Sequence, residues 1–175
     1  IGPFTLGKKV FQVQSGLSYN GLRATLFSSD NYGSNTVVRV GILEWFELSG
    51  VLNWQRTEEE IVGISNSPAG ISNTAIGGRV NVFKGKGAIP TIGIQSRVLL
   101  RAQDESFRRQ KIGSNVLLVT GNNVTDWFSI ITNWGLVWTG NNDSATALYI
   151  LNTSFSLTSK IGTFIELYGT FNSFD

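Results

Sequence analysis

The stretch Phe128-Ser-Ile-Ile-Thr-Asn-Trp-Gly-Leu-Val-Trp138 divides cleanly at period two. One side carries Phe128, Ile130, Thr132, Trp134, Leu136 and Trp138; the other carries Ser129, Ile131, Asn133, Gly135 and Val137. A strand sends successive side chains to opposite faces, so the first face is bulky, apolar and bounded by rings, and the second is small or polar around Asn133. Ten residues at about 3.3 Å each, tilted by roughly 40°, rise about 25 Å, the height of the apolar band between the aromatic girdles of a membrane β-barrel. A strand of a soluble sandwich would carry one such greasy face too. The neighbours must therefore repeat the pattern if the barrel reading is right.

They do repeat it. An expected first strand, 10–20, places Phe11, Val13, Leu17 and Tyr19 on one face against Gln12, Gln14, Gly16, Ser18 and Asn20. An expected third strand, running to Arg56, places Phe46, Leu48, Gly50, Leu52 and Trp54 against Glu47, Ser49, Val51, Asn53 and Gln55. Phe11 and Tyr19, Phe46 and Trp54, and Phe128 and Trp138 are the expected girdle aromatics. Further strands are expected at 35–43, 73–84, 91–102, 113–120, 145–157 and from Gly162 onward, nine in all. The strand at 113–120 is apolar on both faces through Val116, Leu117, Leu118 and Val119, so its pattern does not orient it.

The connections alternate between long and tight. Gly21 to Ser34 and Thr57 to Ser72 read as long polar loops, the second with Glu58-Glu-Glu60 at a solvated tip. Leu43 to Phe46, Gly85-Lys-Gly87 and Thr158-Ser-Lys160 read as tight turns. Short turns on one rim and longer loops on the other are the rhythm of an outer-membrane barrel, with the leader 1–9 on the periplasmic side. The expected fold is all-β: a single domain over 1–175, an antiparallel up-and-down transmembrane β-barrel in the outer membrane of a Gram-negative cell.

Composition limits the chemistry. Charged residues make up 15%, the net charge is +2, and there is no Cys and no His. The small net charge argues against a nucleic-acid footprint. Without His or Cys, neither a Ser/His/Asp nor a Cys/His set can be assembled, so no enzyme is expected, and neither a cofactor nor a metal. A chain free of Cys, beginning without Met, fits an exported protein after removal of its signal. The polar faces collect Arg39, Glu47, Asn53, Arg79, Gln95, Arg97, Arg101, Asn133 and Glu166, which are the lumen-facing candidates. Arg39 and Glu47 flank a tight turn closely enough to pair, and Glu47 and Glu166 read as partners of nearby arginines. This set forms either a charged constriction with a solute site or an ion-pair filling of a narrow barrel.

Three stretches resemble the outer-membrane transporter-like family of the meta-pathway of phenol degradation. They are Phe11-Gln-Val-Gln-Ser-Gly-Leu-Ser-Tyr19, Val40-Gly-Ile-Leu-Glu-Trp-Phe-Glu-Leu48 and Leu157-Thr-Ser-Lys-Ile-Gly-Thr-Phe-Ile-Glu-Leu-Tyr-Gly169. The resemblance implies a bacterial outer-membrane β-barrel that takes up small molecules. It also implies about three more strands than the nine found, for a barrel of roughly twelve; closure at eight or ten is the alternative count. The expected partners are the lipid bilayer, lipopolysaccharide, a small solute and other outer-membrane proteins. Two functions remain open: passive transport of a small solute, or a non-transporting barrel subunit of a larger outer-membrane complex. A soluble sandwich that binds a ligand is the third.

Overall fold

The computed structural model describes residues 2–87, 89–141 and 143–172. Ile1 of the expected leader, Asn142 of the loop after Trp138 and the terminal residues 173–175 lie outside the described residues. The strands are β1 (Phe11–Ala24), β2 (Phe27–Leu43), β3 (Phe46–Ile61), β4 (Ile64–Asn66), β5 (Ala69–Phe83), β6 (Thr91–Leu99), β7 (Gly113–Asn123), β8 (Phe128–Trp138), β9 (Thr146–Ser156) and β10 (Gly162–Phe171). They form one antiparallel sheet in the order β1-β2-β3-β5-β6-β7-β8-β9-β10, with the short β4 paired to β3 beyond the main path. This is an up-and-down meander, strongly curled into a half-barrel. Among the described residues, β1 and β10 each have one strand neighbour, and no second sheet packs on either face.

Two expected loops are strand instead. The polar run 21–34 is the upper half of the β1–β2 hairpin, and only Thr25 and Leu26 separate the two strands. The run 57–72 is likewise taken up by the end of β3, a turn at Val62-Gly63, β4 and the start of β5. Asn, Asp and Gly have low strand propensity, but here polar side chains bond across the ladder. The Tyr19 hydroxyl and Arg23 Nη2 both donate to Asp30 across the β1–β2 ladder. Glu58 to Glu60 are therefore strand residues, and Glu58 pairs with Arg56 at 2.7 Å. The longest surviving connection, 100–112, joins β6 to β7.

The strand at 113–123 acquires an orientation from its neighbours. Leu118 pairs with Trp134 and Val116 with Leu136, so both share the ring-bearing face. Leu117 and Val119 point the other way and are buried. The buried apolar core is small: Val51, Ala75 and Leu99 on the inner face, with Val37 and Val137 packed against them.

Candidate functional site: the inner face and its N-terminal strap

The inner face is identified by what lies on it. Residues 2–9 run across the concave side of the sheet. Pro3 is buried, and its carbonyl accepts a hydrogen bond from Asn81 Nδ2 at 3.3 Å. The Phe4 carbonyl accepts from Arg79 Nη1 at 3.1 Å and Arg39 Nη2 at 3.3 Å. The Leu6 amide donates to Glu47 Oε2 at 3.0 Å. Inward glycines leave room for this strap: a Cβ at Gly93 or Gly121 would meet Pro3, and one at Gly41 would collide with the Gly7 carbonyl. The leader then turns sharply at Gly7 (φ 82°) and Lys9 (φ 64°) into β1. An irregular leader was legible in Pro3 and Gly7. Its course through the interior was not, because the groups that hold it are main-chain carbonyls and amides, which sequence does not distinguish.

Beneath the strap sits a buried charge cluster. Glu47 is 1% exposed. It accepts from Arg39 Nε at 2.8 Å and Nη2 at 2.7 Å, a two-pronged pair of the kind that planar guanidinium and carboxylate groups make well. Arg79 Nη1 lies 3.7 Å from Glu47 Oε1, and Arg79 Nη2 donates to Gln95 Oε1 at 2.7 Å. Arg39 Nη1 also donates to Gln12 Oε1 at 2.9 Å. The register explains the grouping: Glu47, Arg79 and Gln95 are successive partners across β3, β5 and β6, and Arg39 is two residues before Gly41, the partner of Glu47 on β2.

The other lumen candidates are scattered. Asn133 is fully buried on the inner face of β8, between Val119 and Ile150, and neither atom of its side-chain amide has a hydrogen-bond partner. Asn53 lies toward the opposite rim of the inner face, bonded to Asn35. Arg97 is on the inner face of β6 next to Asn115 of β7. Arg101 is not on the wall: β6 ends at Leu99, and Arg101 is an exposed loop residue whose Nε donates to the Arg109 carbonyl at 3.0 Å. Glu166 was expected to have an arginine partner, but its bond is to Asn152 Nδ2 at 3.3 Å. No arginine lies on β9 or β10, and the inward arginines are all on β2, β5 and β6.

The outer face carries the rings. Phe11, Tyr19, Phe46, Trp54, Phe128 and Trp138 all lie on it, as does Trp134, which is 56% exposed. Phe128 stacks with Phe155 at 5.1 Å, Tyr19 meets Tyr32 at 5.2 Å and Trp134 stacks with Tyr149 at 5.9 Å. Between the ring positions, the outward residues of β1, β2, β3, β5, β6, β7, β8, β9 and β10 include no Asp, Glu, Lys or Arg. The outward charges Arg23, Asp30, Arg56, Glu58 and Glu60 begin only past Tyr19, Tyr32 and Trp54.

The rings also keep step from strand to strand. Phe11 pairs through Val40 with Leu48, two residues past Phe46, and Tyr19 pairs through Tyr32 with Arg56, two past Trp54. On the far side, Trp134 connects through Leu118, Ile94 and Val80 to Phe46, so Phe128 is displaced by six residues. Trp138 connects through Ser114, Val98 and Ile76 to Gly50, four residues short of Trp54. Both sets of rings thus drift in one direction by about one residue per strand. At about 3.3 Å per residue and about 4.8 Å between strands, rings of equal height require a strand tilt of roughly 35–40°, the tilt of a closed barrel.

No family model, no curated protein and no solved structure matches the chain.

Proposed function

We propose that the chain is a transmembrane β-barrel of a Gram-negative outer membrane through which a small solute passes without an energy source. The observation that carries this reading is the uncharged outer band bounded by two levels of aromatic residues that keep step with barrel tilt. Leu17, Leu52, Ile76, Ile94, Leu118, Trp134 and Leu167 are exposed on that band, a patch larger than a soluble monomer leaves uncovered. An arginine placed there would cost about 2–4 kcal/mol at mid-depth in lipid. The strand arginines are instead on the inner face or beyond the rings. The resemblance of the three quoted stretches goes with the same architecture.

The test is reconstitution. Purified protein in liposomes should release a small uncharged solute faster than empty liposomes, and equal rates would overturn passive passage. The second reading, a non-transporting subunit of an outer-membrane assembly, is favoured by one observation: the strap and the Arg39–Glu47–Arg79 cluster fill part of the interior. Stable co-purification with other outer-membrane proteins, together with liposomes as tight as empty ones, would decide for it.

A further inference from the structure

We propose that Arg97 is the anchor of a binding site for a small organic carboxylate inside the barrel; the site rests on the reading of passive solute passage and names the class of solute. Arg97 faces inward on β6, between Gly77 of β5 and Asn115 of β7. Its side chain lies across Gly77, where a Cβ would come within 2.6 Å of Arg97 Cγ. That direction brings the guanidinium within electrostatic reach of Arg39 and Glu47. Yet its Nε is buried without a hydrogen-bond partner, and Arg97 takes part in none of the ion pairs among the described residues.

Glu47 makes no ion pair with Arg97: that carboxylate is held by Arg39 and the Leu6 amide, with Arg79 beside it. Three inward guanidinium groups on β2, β5 and β6 therefore share one carboxylate. Native structures seldom leave a buried guanidinium N–H without a partner. A second donor waits nearby: Gln95, 2% exposed and two residues along the same face, has a buried Nε2 with no partner. An anion supplied from solution would satisfy both.

The next inward positions select the rest of the ligand. One step further along the inner face lie Val37, Val51, Ala75 and Leu99, with Val137 packed against them. A bare inorganic anion would leave that apolar layer unused, and an uncharged solute would leave Arg97 unpaired. A carboxylate on a short aliphatic body uses both.

Equilibrium dialysis of radiolabelled butyrate against the detergent-solubilised full chain tests the site, with butyramide as the uncharged match. Saturable butyrate binding is expected, weakened at least tenfold by Arg97→Gln and less by Arg97→Lys, with no saturable butyramide binding. Arg97 holds no partner, so both variants should keep the heat-modifiable electrophoretic mobility of the folded protein. If Arg97→Gln does not fold, a severalfold loss in Arg97→Lys carries the same weight. Absent butyrate binding in the parent protein, equal affinity in the folded variants, or equal binding of butyramide would each overturn the proposal. Erythritol flux in liposomes separates this from the parent reading. Flux without butyrate binding keeps passage and removes the site; Arg97-dependent binding without flux keeps the site and removes passage.

Discussion

The Gly7 carbonyl occupies the space that a Cβ on residue 41 would need. This contact ties the leader to β2, alongside hydrogen bonds from Lys9 N to Gly41 O and from Gly41 N to Val10 O, both 2.8 Å. Gly41→Ala must therefore displace backbone rather than a flexible side chain. Overpacking of this kind costs about 1–3 kcal/mol. We expect the loss to appear as faster amide exchange and proteolysis of residues 2–9, with the sheet intact. Unchanged protection of the leader would refute the contact.

Glu47 holds the interior together. Glu47→Ala leaves Arg39 and Arg79 buried without their carboxylate and should lower unfolding stability by about 3–5 kcal/mol. Replacing Arg39 and Glu47 together by Met and Leu should recover a large part of that loss, because matched apolar groups need no partner. Urea titration of the parent, the single variant and the double variant in one detergent measures both effects. A double variant as unstable as Glu47→Ala would show that the loss comes from Arg79 and the Leu6 amide rather than from an orphaned Arg39.

Asn133 predicts a gain. Its amide is fully buried and unbonded, a state that costs about 1–3 kcal/mol. Asn133→Leu keeps the branched shape and the number of heavy atoms while removing the polar atoms, and should raise the urea midpoint. A lowered midpoint would mean that the amide is satisfied in solution.

Depth of the tryptophans tests the outer band directly. Trp138 lies with the upper rings, and Trp134 is four residues nearer the middle of the same strand. In variants retaining one tryptophan, lipid-borne quenchers near the headgroup should act more strongly on Trp138, and quenchers deep in the chains more strongly on Trp134. Iodide quenching of both residues, with no lipid quenching of either, would contradict a membrane setting.

One loop contact is sensitive to pH. Lys111 Nζ donates to Asp143 Oδ1 at 2.7 Å and links the β6–β7 loop to the β8–β9 loop. The hydrogen bond and charge of Lys111 hold the Asp143 carboxyl below its usual range, and Asp143 likewise raises Lys111. A carboxyl depressed on folding adds stability above its unfolded pKa, and that contribution is lost as pH falls through the lower, folded value. The Lys111 contribution is present below the ordinary lysine pKa and is lost as pH rises through the raised one. The link should thus be intact at neutral pH. Carbon-detected NMR titration should place the Asp143 midpoint below that of an exposed aspartate, and Lys111→Gln should return it. The same midpoint in both proteins would remove the interaction.

Period-two alternation was enough to give the nine strands of the main path and the faces of all but one of them, because a strand's side-chain direction is fixed by its backbone; the short, helix-free connections gave the antiparallel order. The span Phe128–Trp138 and the starts at Thr91, Gly113 and Gly162 were legible for that reason. So was the Arg39–Glu47 pair, since a tight turn brings its flanks together. What sequence pattern could not supply was anything set by contacts across strands. The polar runs 21–34 and 57–72 become ladder only through partners on neighbouring strands, Leu117 and Val119 take their face from β6 and β8, and Arg101 leaves the wall because β6 stops at Leu99. The strap is the clearest case: main-chain groups of Pro3, Phe4 and Leu6 meet Asn81, Arg79, Arg39 and Glu47 only once the sheet has curled around them.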